Sequence, residues 1–270
     1  MYNLLRGMQF KINFALLLAL LFLTIQLNCV VQGCTDFQMN FTNFQLSART
    51  MDLGMNKNWT ISTWPRGEIS KMPTYGDDTI KIQPSVWEAS YGVLAVSANW
   101  LGDDRALLPF LYSDALNEAG ISCGLQTLVG SKYETPKTRG INVFNGLFCK
   151  YVTQTYGSLD DLYIALPHIS IYGPDALDQH FILHDGLGNT MIIEMIDGEK
   201  VVHYEAGNNK GGKESSFATN TGYGICTNEP PLNWHYETVA HYEWKRSLAR
   251  QAVAVPGGFY PEDRYALYDI

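Results

Sequence analysis

The chain has 270 residues, a formal net charge of −8 and a 46% hydrophobic fraction. That is ample apolar material for a buried core, and the length suits one large domain or two small ones. The acidic balance argues against nucleic acid as a partner, because its binders carry basic patches.

Residues 1–33 have the layout of a secretory signal peptide. Arg6 and Lys11 give a basic start, 14–23 is an unbroken apolar run, and Val31-Gln32-Gly33 precedes the expected cut. The run falls short of the roughly 20 residues that cross a bilayer comfortably. The expected mature domain is therefore 34–270, exported to a periplasm, an extracellular space or a lysosome-like lumen, with no membrane attachment after signal removal. Loss of the signal leaves 17 cations against 27 acids, a net charge of −10. Two alternatives stay open: an anchor through uncleaved 12–31, and lipidation of Cys34 within Val31-Gln32-Gly33-Cys34, which loosely matches a lipobox.

Residues 34–41 and 44–50 are predicted strands around a Thr42-Asn43 hairpin. Residues 53–77, rich in Gly, Asn, Trp and Pro, are expected to form a long loop that walls a pocket. Strands follow at 79–83 and 91–99. Asp114 to Gly120 is expected to turn into a strand over 121–129. Apolar spacing at Phe144, Leu147, Phe148, Tyr151 and Val152 predicts a helix over 143–156. A second helix runs from Ser158, a predicted N-cap, to Leu166. The period then changes to two, giving strands over 181–184, 190–195 and 200–205 in an antiparallel meander. Residues 206–216 are an expected loop, 224–227 a short strand and 234–253 a helix. This order predicts an α+β fold with helices covering antiparallel sheets.

Of five cysteines, Cys29 leaves with the signal. Cys34, Cys123, Cys149 and Cys226 are widely spaced, a pattern that predicts neither a zinc site nor a disulfide framework. Asn40-Phe41-Thr42 and Asn58-Trp59-Thr60 are glycosylation sequons, meaningful only in a eukaryotic secretory host.

The chemistry centres on Cys34. As the first residue of a mature chain it carries its own base, the α-amino group. An unperturbed α-amine titrates near 7.7–8.0 and a thiol near 8.5, so the amine can take the thiol proton. Arg49 is the candidate cation that favours a thiolate. Asp52 is the candidate partner of the amine. Taken alone, Arg49 and Asp52 also suit a surface ion pair. Asn228, in Thr227-Asn228-Glu229-Pro230, can donate to an oxyanion, or serve only as a turn residue. Arg264 follows a Pro256-Gly257-Gly258 loop and suits a site or a surface equally. His235 and His241 are six apart and do not share a helical face, so no metal ligand set is visible.

Taken in order, the terminal Cys34, Arg49-Thr50-Met51-Asp52, Asp114 to Gly120, Thr227-Asn228-Glu229-Pro230 and Pro256-Gly257 through Arg264 resemble the choloylglycine hydrolase and penicillin V acylase family. Its members are N-terminal nucleophile amidases. The resemblance runs from Cys34 to Tyr265. It implies an αββα sandwich of two antiparallel sheets between helical layers, and hydrolysis of a linear, non-peptide amide through an acyl-thioester. The implied substrate is a small N-acyl compound such as a conjugated bile salt, a penicillin V-like amide or an acyl-homoserine lactone, with no cofactor and no metal. By the same resemblance Cys34 is the nucleophile, supported by Arg49 and Asp52. Asn228 lines the oxyanion hole, and Arg264 completes the polar network. The second oxyanion position falls on Thr127, or on Gln126 with a one-residue gap, where the family usually has Asn or Tyr. Family members continue past the equivalent of Ile270, so the C-terminal part is expected to be missing. Two other readings stay open, an N-acylethanolamine-type amidase and an inactive relative that binds acyl ligands. A homo-oligomer stays open as well.

Overall fold

Apolar residues at every position of 180–183 and 191–193, His180 excepted, require a strand pair covered on both faces. That pair is the middle of the fold. The computed structural model describes residues 33–41, 43–51, 59–72, 84–98, 111–174, 177–206, 220–221, 223–249 and 260–269. In chain order the strands are β1 (Thr35–Asn40), β2 (Gln45–Thr50), β3 (Trp59–Trp64), β4 (Ile69–Lys71), β5 (Val86–Glu88), β6 (Val93–Ala98), β7 (Asp114–Asn117), β8 (Ser122–Thr127) and β9 (Ile141–Phe144). Helices α1 (Phe148–Thr155) and α2 (Leu159–Ala165) follow. Then come β10 (Ile169–Tyr172), β11 (Gln179–His184), β12 (Thr190–Ile196), β13 (Glu199–Ala206), β14 (Asn220–Thr221) and β15 (Ile225–Cys226). Helices α3 (Leu232–Leu248) and α4 (Pro261–Asp269) complete the order.

Eight strands form one sheet in the order β14-β13-β12-β11-β8-β7-β6-β3, and β15-β1-β2 form a second. The neighbours in both are antiparallel apart from β13 and β14. Side chains alternate across the large sheet. Phe181, Leu183, Met191 and Ile193 pack with Phe148, Val152, Leu159 and Leu162 of α1 and α2. Ile182 and Ile192 point the other way and pack with Ile225, Leu232, Val239 and Tyr265 from β15, α3 and α4. The layers are helix, sheet, sheet, helix: an αββα sandwich. Each fully buried Phe, Ile or Leu contributes about 1.5–3 kcal/mol, so both interfaces are strongly held. Lys150 on α1 is buried, pairs with Glu68 at 3.1 Å and lies 4.1 Å above the Trp64 ring.

The hairpin, the strand after residue 120, the meander and the Ser158 cap follow the sequence reading. The Ser158 hydroxyl accepts from Asp161 N at 3.1 Å. Several expectations are corrected. The 53–77 loop contains strands β3 and β4, because Trp, Thr and Ile favour a pleated surface. Asp114–Asn117 is a strand, paired with β6 and β8, and only 118–120 turns. The start of the helix predicted over 143–156 is strand β9, in parallel register with β10; Phe148 begins the helix. Strand β5, strand β10 and helix α4 are additional. Helix α3 spans 232–248, and Ala249 is extended, so the predicted end at 253 is too late. Cys123 and Cys149 form a disulfide between β8 and α1, which the spacing did not predict. The predicted strand at 79–83 and most of the predicted loop at 206–216 lie outside the described residues.

Candidate active site

The β1–β2 register sets Thr35 opposite Thr50 and Asp36 opposite Arg49. On the other side β15 sets Cys226 opposite Asp36. Cys34 is thereby delivered to the mouth of the small sheet, next to the segment that leaves β15. It is 4% exposed and not disulfide-bonded.

Cys34 N donates to Asn228 Oδ1 at 2.9 Å. Arg264 Nη1, from α4, donates to Cys34 O at 2.9 Å and to Thr35 Oγ1 at 3.1 Å. Its Nη2 donates to Asn228 Oδ1 at 3.0 Å. Asn228 Nδ2 donates to Thr127 O at 2.9 Å. Cys34, Thr127, Asn228 and Arg264 therefore form one bonded group drawn from four distant segments. A side-chain amide has two N–H groups, and Thr127 uses one of those on Asn228. The Gly33 Cα sits against the same guanidinium, where an added Cβ would lie 2.4 Å from Arg264 Nη1.

Arg49 occupies the layer between the sheets. It donates to Ser113 O at 2.5 Å and, through Nη2, to Leu125 O. Room for it comes from Gly124. A Cβ there would lie 2.7 Å from Arg49 Nη1 and 2.9 Å from Asp36 Oδ2. Two carboxylates neighbour this cation, Asp36 and Asp114. Burial pushes the Asp114 carboxyl up to about 6; Arg49 opposes the shift and Asp36 adds to it. The Asp52 position lies outside the described residues.

The two alternatives for the second oxyanion position differ in orientation. Thr127 has an exposed side chain and contributes its carbonyl. Gln126 is buried between the sheets. With its amide turned to suit its neighbours, it donates to Thr227 O at 2.6 Å and accepts from Asp36 N at 3.2 Å.

Sequence reasoning missed a buried polar layer that holds these groups. Asp36 Oδ1 meets His184 Nε2 at 2.9 Å, and His184 Nδ1 meets Thr190 Oγ1 at 2.8 Å. His180 Nε2 lies 2.9 Å from Thr227 O and so donates to it. Glu194 faces His180 at 3.5 Å and His203 at 3.2 Å, and accepts from Leu232 N at 2.9 Å. Burial alone pushes the Glu194 carboxyl up, but the neighbouring His180 and His203 imidazoles outweigh it and hold it at about 2. His235 Nε2 lies 3.2 Å from Asn228 O, and its ring stacks on Tyr265 at 4.7 Å. The available signal was periodicity. His180, Ile182 and His184 share one face of β11, and a buried face bearing two imidazoles needs partners.

A model of the linear amide C–N hydrolases, choloylglycine hydrolase family, matches residues 34–266. A penicillin V acylase of Pectobacterium atrosepticum is 25% identical over 192 residues, covering 66% of this chain and 48% of that protein. The chain thus spans about half the length of that curated relative. Among solved structures, a penicillin V acylase from Agrobacterium tumefaciens superposes with TM-score 0.64 at 20% identity, over 86% of this chain and 62% of that one. A variant of a conjugated bile acid hydrolase from Clostridium perfringens gives TM-score 0.63 at 20% identity, over 87% and 72%. These structural likenesses speak for the fold, and the family match runs through the whole site just described. The chain belongs to the linear amide C–N hydrolases of the choloylglycine hydrolase family.

Proposed function

We propose that this chain is an exported amide hydrolase that uses Cys34 as an N-terminal nucleophile once residues 1–33 are removed. The observation that carries this reading is the 2.9 Å bond from Cys34 N to Asn228 Oδ1, with Arg264 bridging Asn228 and Cys34 O. In the processed chain that nitrogen is the α-amine, held beside its own thiol. The amine accepts the Sγ proton as Sγ attacks the substrate carbonyl. The C–N bond then breaks, and the proton passes to the departing amine. Water cleaves the thioester, releasing the acid and restoring the thiol. In this reading the Asn228 N–H not used by Thr127 donates to the oxyanion, a role worth several kcal/mol in other enzymes.

The substrate class is a linear N-acyl amide of the penicillin V or conjugated bile salt kind, after the names of the relatives. Export is supported by the buried Cys123–Cys149 disulfide, since such bonds persist in oxidising compartments. The test joins intact mass and N-terminal sequencing of the exported protein to hydrolysis assays on penicillin V and a glycine-conjugated bile acid. A free Cys34 terminus with turnover of either compound supports the reading. A lipid-modified Cys34, or a cut elsewhere, removes the α-amino base and overturns it.

A further inference from the structure

The segment 227–228 carries the amide that faces Cys34, yet it lies in a loop, and loops hold side chains less tightly than strands. Two buried imidazoles grip its main chain. His180, from β11 in the large sheet, bonds Thr227 O at 2.9 Å. His235, from α3, reaches Asn228 O at 3.2 Å. They differ in support. Behind the His180 ring, 3.5 Å from Nδ1, stands the Glu194 carboxylate, which is itself tied to His203 and to the first residue of α3 through Leu232 N. His180 and Glu194 are each 1–2% exposed. Gln126 donates to the same Thr227 carbonyl, so that oxygen is held by two donors from one sheet.

We infer that His180 is a positioning residue for the reaction, acting through the Thr227 carbonyl to present the Asn228 amide to Cys34 N. This rests on the amidase reading for its catalytic consequence. Cys34 and Asn228 belong to the small sheet and its exit, whereas His180 and Glu194 belong to the large one. The bond from His180 to Thr227 thus fixes the site of one sheet against the frame of the other. Displacement of the amide by about 1 Å is enough to cost on the order of 100-fold in rate.

The test compares two polar replacements in the full chain expressed with its leader. His180→Gln puts an amide N–H near the Nε2 position and keeps the bond to Thr227 O. His180→Asn stops short of it. We expect kcat to fall about 30-fold in His180→Asn with KM within about two-fold, and to stay within about three-fold of the parent in His180→Gln. Equal kcat in both variants, or a change confined to KM, overturns the inference. If His180→Asn does not fold, Glu194→Ala takes the carboxylate from behind the ring instead, and an unchanged kcat there overturns it equally. A second readout needs no substrate: alkylation of Cys34 by iodoacetamide at neutral pH, followed by peptide mass. Alkylation about five-fold slower in His180→Asn than in His180→Gln supports the positioning role even if no amide is hydrolysed, which would count against the amidase reading alone. Equal alkylation rates count against His180 whatever the substrate.

Discussion

Phe181, Leu183, Met191 and Ile193 face the helices, while His180, His184, Thr190 and Glu194, one residue away in the same strands, face the small sheet. Both faces are fully buried. The first is apolar and is held by shape and by one disulfide. The second sets imidazoles, carboxylates and amides around Ile182 and Ile192, and its polar groups depend on particular partners. Apolar packing tolerates volume-conserving exchange, whereas a half-satisfied buried polar network is costly. The helix-side face therefore carries stability, and the sheet-side face carries geometry. Substitutions on the two faces should give different kinds of failure.

The sharpest contrast is at Cys34, the proposed nucleophile. Cys34→Ser, processed normally, is expected to lose at least about 10³-fold in hydrolysis with little change in melting temperature. Assay of the purified variant on penicillin V checks this, and retained turnover would sink the assignment. On the helix-side face, Phe181→Ala should cost about 3–5 kcal/mol in denaturant unfolding and leave kcat of the folded fraction near the parent. A large kcat loss at unchanged stability would break the division between the faces. Reducing the Cys123–Cys149 bond, which closes 26 residues and belongs to the same face, is expected to lower stability by about 3 kcal/mol. Unfolding with and without reductant measures it.

The smallest effect is electrostatic and belongs to the sheet-side face. The Asp114 carboxyl is pushed up to about 6 when folded, against about 3.9 unfolded. Between those values the folded chain binds more protons, so stability falls as pH rises from about 4 to 6. Asp114→Asn removes this dependence. Its stability relative to the parent should improve by about 2 kcal/mol between pH 4.5 and pH 7. A flat difference across that range would mean that Asp114 is not the titrating group.

Much of the site was legible because residue type announces chemistry. Cys34, Arg49, Asn228 and Arg264 are each ambiguous alone and were singled out by the order of their motifs, and the structure gathers three of them, with Thr127, into one bonded group. Their supports were not legible, because register is a tertiary fact. Nothing local says that Asp36 will meet His184, 148 residues away, or that Gly124 must be small to seat Arg49. Strand β9 was hidden for a related reason. Val143, Phe144, Leu147 and Phe148 keep helical spacing across the boundary, and only pairing with β10 makes the first part extended. Asp114–Asn117 was mistaken for a turn on its Asp and Asn, although Ala115 and Asn117 are buried. The disulfide joined two cysteines with no local spacing signal.

Arg264 meets the Cys34 carbonyl across 230 residues of sequence. Among the described residues this contact is one of the most non-local, and non-local contacts form late because the intervening loop must close first. A chain emerging from synthesis carries its thiol from the start, but it cannot complete the group that aims the thiol until residue 264 has arrived. Under the amidase reading, the thiol is thus present long before the arginine that helps to aim it.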